Sequence, residues 1–120
     1  MQYILLIYSP EKTMTDMPEA DRQRLHGEYG KFTKDIRASG HFKAGDALQP
    51  TMTATTVRVR EGKTAVTDGP FAETREQLGG FYLIDAKDLD EATKIAARIP
   101  SASFGSIEIR PVVVFPPGAM

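Results

Sequence analysis

Hydrophobic and polar positions along the chain alternate between two periodicities, and each change of period marks a new element. Tyr3-Ile4-Leu5-Leu6-Ile7-Tyr8 is apolar without alternation, as expected of a strand covered on both faces or lying at a dimer contact. Ser9-Pro10 closes it. Asp16-Met17-Pro18-Glu19 predicts a helix start, with Asp16 as the cap, Pro18 in the first turn where a missing N–H costs nothing, and Glu19 at the capping-box position. Leu25, Tyr29, Phe32 and Ile36 recur at i, i+4, i+7 and i+11, one stripe of a helix, and Gly40 stands where a helix ends.

His41 to Leu48 predicts a second strand with a glycine interruption, stopped by Gln49-Pro50. From Thr55 the period becomes two: Val57 and Val59 are expected to face inward, and Thr56, Arg58 and Arg60 outward. Glu61-Gly62-Lys63 predicts a three-residue hairpin loop, Thr64 to Thr67 the partner strand, and Asp68-Gly69-Pro70 its end. After a linker from Phe71 to Leu78, Gly79-Gly80 opens a strand over Phe81 to Asp85. Asp88-Leu89-Asp90-Glu91 is a second capping box, and Leu89, Ala92, Ile95, Ala96 and Ile99 share one helical face before Pro100. A last strand runs from Ser106 through Ile107 and Ile109, with Val112 to Phe115 as its extension.

The order β-α-β, β-hairpin, β-α-β describes an α+β, ferredoxin-like sandwich: an antiparallel sheet with both helices on one face. The opposite face is left bare and apolar, so a homodimer that buries it against a second copy is the economical expectation. Residues 1–120 are expected to form a single domain, with no linker between domains and no long repeat.

Composition narrows the function. A 41% hydrophobic and 26% charged chain is globular rather than disordered. Fifteen Lys+Arg against sixteen Asp+Glu leave no basic excess for a nucleic-acid partner. Cysteine is absent, which removes disulfides, thiolate metal sites and a cysteine nucleophile. His26 and His41 are the two histidines, and their spacing matches no metal motif, so neither a metal nor a cofactor is expected. The longest apolar run falls far short of the roughly 20 residues that span a bilayer, and the start lacks a charged secretory n-region. A cytoplasmic protein without a membrane partner is the expectation.

Candidate chemistry concentrates in Asp68-Gly69-Pro70-Phe71-Ala72-Glu73-Thr74-Arg75-Glu76-Gln77-Leu78-Gly79-Gly80. Asp68 or Glu73 could act as a general base there, Arg75 could hold an anion, and Gly69, Pro70 and Phe71 could line a pocket for a small molecule. The same composition equally makes a plain turn between two strands. Gly27 and Gly30 flank Tyr29 in the first helix, where each glycine costs about 1 kcal/mol relative to alanine, so close approach of something to that face is expected. Tyr29 could then line a cleft beside His26, or simply sit in the core. His41 could titrate near neutral pH as an acid or base, or only face solvent. Arg58 and Arg60 could grip an acidic partner, although alternation with the valines also explains them.

The string from Val66 to Tyr82 resembles the signature of the DGPF branch of the YCII-related family. Tyr29-Gly30-x-Phe32, Ala47-Leu48-Gln49-Pro50, Ala54 to Arg60 and Glu108-Ile109-Arg110-Pro111 add matches in order along nearly the whole chain. The resemblance implies a dimeric α+β barrel built from ferredoxin-like protomers. It also implies enzymes that use a histidine–aspartate pair, but this chain carries Tyr29 at the histidine position and Ile99-Pro100 at the Asp-Pro step. Any acid–base role then falls to Asp68 and Glu73, with Tyr29 as a hydrogen-bond donor. Proteins of this branch are often encoded beside extracytoplasmic-function sigma factors, which implies a sigma factor as an alternative partner.

Overall fold

The computed structural model describes residues 1–119. Strand β1 (Gln2–Ser9) leads through a short helix α1 (Glu11–Asp16) into the long helix α2 (Glu19–Ala38) and strand β2 (Phe42–Ala47). A hairpin of β3 (Thr55–Arg60) and β4 (Lys63–Asp68) follows, then β5 (Gln77–Asp85), α3 (Leu89–Ala96) and β6 (Ser106–Pro111). The four-stranded sheet has the order β2-β5-β1-β6 and is antiparallel throughout, while β3 and β4 pair only with each other. This is the α+β, ferredoxin-like arrangement expected, with α2 and α3 supplying the core on one face.

β1 alternates in a way its composition hides. Tyr3, Leu5 and Ile7 are buried toward the helices, where they meet Phe32 and Ile36 of α2 and Ala92, Ile95 and Ala96 of α3. Ile4 and Leu6 point to the other face, opposite Leu83 and Phe81 of β5, and stay only partly covered. An apolar run without alternation thus serves a sheet with two apolar faces, one of them open.

Several local expectations are corrected. Helix α1 occupies the stretch before Asp16, so Asp16 ends one helix instead of capping the next. Pro18 holds the N-cap position of α2 with no side-chain cap. The hairpin loop has two residues, Glu61 and Gly62, at φ 53° and 75°. Two positive φ values match the type I′ turn that suits the twist of a tight hairpin. Val57 and Val59 are 59% and 58% exposed instead of facing inward, because the hairpin stands off the body and meets no second layer. Leu89 is 55% exposed, being the first residue of α3, and Val112 to Phe115 lie beyond the end of β6.

Other signals act as read. Gly40 adopts φ 82° after the C-cap Ser39. Its N–H donates to Arg37 O and that of His41 to Ile36 O, the paired bonds of a Schellman stop. Asp88 caps α3 by accepting from Glu91 N–H at 2.9 Å. The α2 glycines, however, are not approached: a Cβ on Gly27 would meet nothing within 4 Å. Gly27→Ala is therefore expected to raise stability by about 1 kcal/mol in urea unfolding. A loss instead would mean that another chain covers this face.

Candidate functional site

A cleft of about 620 Å³ opens between α2 and the β2–β5 side of the sheet. Its α2 wall is a second stripe beside the core stripe: Arg22, His26, Tyr29, Thr33 and Arg37, three or four residues apart, with Leu25 at the border. The sheet contributes Phe42, Gly45 and Tyr82, and Ser101 lines it from the turn after α3. Glu11 and Met14 of α1 line it as well, together with Leu48, Gln49 and Pro50. A shallower groove of about 470 Å³ shares His26, Tyr29, Thr33 and Arg37 and adds Gly30 and Lys34.

Two glycines bring the sheet strands close at this wall. A Cβ on Gly45 would sit 2.7 Å from Tyr82 Cδ1, and one on Gly80 would sit 2.9 Å from Asp46 O. Gly79 is the extra residue of the bulge where β5 passes β1. Such bulges re-aim side chains next to sites.

Two hydroxyl pairs lie in the cleft. Tyr29 Oη and Ser101 Oγ are 2.5 Å apart, with Ser101 only 4% exposed. Burial raises the Tyr29 phenol above its ordinary value of 10.0, and hydrogen bonding with Ser101 pulls partly the other way. Tyr29 therefore stays protonated at neutral pH and can donate a proton, not act as a base. Thr33 Oγ1 and Tyr82 Oη are 2.7 Å apart. The Tyr82 ring is fixed edge-on against Phe32 and Phe42, at centroid distances of 5.2 and 6.3 Å.

The rim is held by α1. Glu11 accepts from Thr51 N–H through both carboxylate oxygens at 3.2 and 3.3 Å, and Glu11 N–H donates to Gln77 Oε1 at 2.8 Å. Arg22 donates to Met17 O at 3.2 Å at the end of the same helix, where the carbonyl pole of α1 favours a cation.

Of the residues singled out in the sequence, Tyr29 and His26 line the cleft. Asp68, Gly69, Pro70, Phe71, Glu73 and Arg75 do not line it within their own chain. Asp68 is exposed opposite Thr55 at the hairpin base. Gly69, at φ 100°, clamps that base: its N–H donates to Ala54 O at 2.7 Å and its carbonyl accepts from Thr56 Oγ1 at 2.8 Å. Pro70, Phe71, Glu73 and Arg75 lie exposed along the following segment.

His41 lies outside the cleft as well, between Ser39 Oγ at 2.7 Å from Nδ1 and Glu91 Oε1 at 3.0 Å from Nε2. A serine, a histidine and a carboxylate in line have the members of a hydrolase triad. Here Ser39 caps the C-terminus of α2, where the carbonyl pole opposes the negative charge of an oxyanion. The row ties α2 and β2 to α3. The Glu91 carboxyl is held below its ordinary range, mainly by Lys87 N–H and also by His41.

Ser101, Thr33, Arg37 and Tyr82 were not singled out in the sequence. The spacing of Arg22, His26, Tyr29, Thr33 and Arg37 was the available signal for the helix wall. Ser101 had none, being far from Tyr29 in sequence.

Among the described residues, no helix is long and apolar enough to cross a membrane. Likewise, no group of three or more His, Cys, Asp or Glu could hold a metal ion.

Comparison with known proteins agrees with this architecture. The chain is similar to the 5-chloro-2-hydroxyhydroquinone dehydrochlorinase TftG of Burkholderia phenoliruptrix AC1100, solved in complex with 2,5-dihydroxybenzoquinone. The TM-score is 0.55 over 94% of each chain, at 11% identity, a likeness of fold alone. It is 38% identical to an uncharacterised protein of Rhizobium meliloti (strain 1021), over 100% of this chain and 98% of that one. The model of the YCII-related domain matches residues 1–116, and the chain belongs to the YCII-related family.

Proposed function

We propose that this chain, as a member of the DGPF branch, acts in the cytoplasm as a homodimer that binds a small molecule in the α2–sheet cleft. The observation that carries the reading is the cleft itself: about 620 Å³ of space, within the usual range for small-molecule sites, with the Tyr29–Ser101 hydroxyl pair in its wall. That the fold neighbour was solved with a small quinone bound is consistent with it. The dimer would bury the open sheet face of Ile4, Leu6, Phe81 and Leu83 and the valines of the hairpin. If the site also performs acid–base chemistry, Asp68 and Glu73 would reach it from the second copy, since neither lines the cleft of its own chain.

Native mass spectrometry of protein purified gently from its host tests this. A dimer with a reproducible extra mass is expected, and Tyr29→Phe should reduce the fraction carrying it. Loss of that mass in a folded Asp68→Asn dimer would support the contribution across the interface, and its retention would remove Asp68 from the site. A bare chain overturns the small-molecule reading. The second reading, a module that engages a sigma-type factor, is favoured by Arg58, Arg60 and Lys63, which share one exposed face of the hairpin. Its signature is a specific complex lost in the Arg58→Ala, Arg60→Ala variant.

A further inference from the structure

We propose that the cleft selects an aromatic carboxylate, its charged oxygens turned to the Tyr29–Arg37 part of α2 and its ring against Phe42 and Tyr82. The inference rests on the small-molecule reading and adds the ligand's charge and shape to it.

The α2 wall has no carboxylate: its lining residues are Arg22, Leu25, His26, Tyr29, Thr33 and Arg37. Arg37 makes no ion pair among the described residues, and its guanidinium lies over the Phe42 ring, 4.0 Å from the centroid. That stacking holds an unneutralised cation at the cleft in one orientation.

The hydroxyls point the same way. Tyr29 Oη and Ser101 Oγ lie 2.5 Å apart and either can donate. With the Ser101 hydroxyl as the donor, the phenol's own proton is free for a ligand. The Thr33–Tyr82 pair shares one proton between its two oxygens and so leaves the other to donate outward. Two free O–H donors beside an unpaired guanidinium suit an acceptor with two oxygens and a negative charge.

The acidic lining residues do not cancel this field. Glu11 keeps its charge but is fixed at the α1 rim, turned to Thr51 N–H. Asp46 is four residues along β2 from Phe42, about 13 Å at the usual strand rise, more than a Debye length at physiological salt. The wall facing Arg37 and Tyr29 is aromatic, with the Tyr82 ring fixed by its edge contacts to Phe32 and Phe42. A flat ring fits there.

Benzoate, benzamide and benzylammonium share the ring and differ in charge. Their dissociation constants for the intact protein, with NMR shifts to locate them, test the assignment. Benzoate is expected to bind about tenfold or more tighter than benzamide, as charge-assisted hydrogen bonds imply, and benzylammonium not to bind. Arg37→Gln, Tyr29→Phe and Ser101→Ala should each erode the benzoate advantage while leaving benzamide binding in place. That selective loss separates Ser101, a positioning residue for the Tyr29 proton, from a residue needed only for folding. Benzamide binding in the cleft as tightly as benzoate overturns the charge assignment and leaves the small-molecule reading standing. If no probe shifts the cleft residues, both are overturned.

Discussion

The proposed homodimer is expected to be lost in a chain carrying Val57→Asp together with Val59→Asp, which should run as a monomer at every concentration where the unaltered chain self-associates. Val57, Val59 and Val66 are 59%, 58% and 64% exposed in one chain. The pairing of Val57 with Val66 places all three on the same face of the hairpin. A two-stranded hairpin alone in water is at best marginally stable, so this face calls for a cover. The radius of gyration of 16.7 Å exceeds the roughly 13.5 Å of a compact chain this long, as an arm reaching beyond the body requires.

Burying a valine is worth about 1.5 kcal/mol or more, and in a two-fold dimer each substitution acts twice. Four buried valines replaced by carboxylates then remove about 6 kcal/mol, which is over a thousandfold in the dimer dissociation constant. Light scattering coupled to size-exclusion chromatography reads this directly. A variant dimer as tight as the original would place the hairpin outside the interface and leave the sheet face to carry it.

Ile36→Ala is expected to cost about 2–5 kcal/mol of folding stability. Ile36 is fully buried between α2 and the sheet among the largest enclosed side chains, with Leu5, Ile84 and Ile99. It belongs to one core cluster with Tyr3, Leu5, Phe32, Tyr82, Ile84 and Ile95, so truncation leaves a cavity among packed side chains. With domain stabilities of about 5–15 kcal/mol, a loss of this size consumes a large share of the total. Urea unfolding at fixed chain concentration should show a clearly lowered midpoint with little change in slope. A cost under about 1 kcal/mol would mean that neighbouring side chains collapse into the gap.

Apart from helix α1, the element order was legible in the sequence, as was most of the helical core, because each rests on local signals. Leu25, Phe32 and Ile36 recur at helical spacing, Gly40 supplies the positive φ of a Schellman stop, and Asp88 caps α3 three residues before Glu91. Period-two alternation located the hairpin strands, but alternation shows only that a strand has two different faces. It does not show that anything covers the apolar one, and so Val57 and Val59 were expected inside. The loop is one residue shorter than the three expected, because Glu61 takes positive φ beside Gly62 and lets Arg60 pair with Lys63, a conformation uncommon outside glycine.

The candidate site was legible only in part, and for the same reason. Tyr29 stood out through its place on the helical stripe and the glycines around it. The string from Asp68 to Arg75 stood out through density of polar and turn-forming residues. Density carries no information about direction. The clamp at Gly69 sends that segment to the base of the hairpin, away from the cleft of its own chain.

Local periodicity, capping residues and turn residues determined the order of the strands and the two main helices and most residues of the core, since each of these acts over a few positions of backbone. Which residues share the cleft was decided by tertiary structure. Ser101 reaches Tyr29 across 72 positions of sequence because the segment after α3 folds back beside α2. The close Gly45–Tyr82 contact forms because β5 pairs with β2 in one register. Such juxtapositions depend on how packed elements are placed in space, and a one-dimensional pattern contains no term for that.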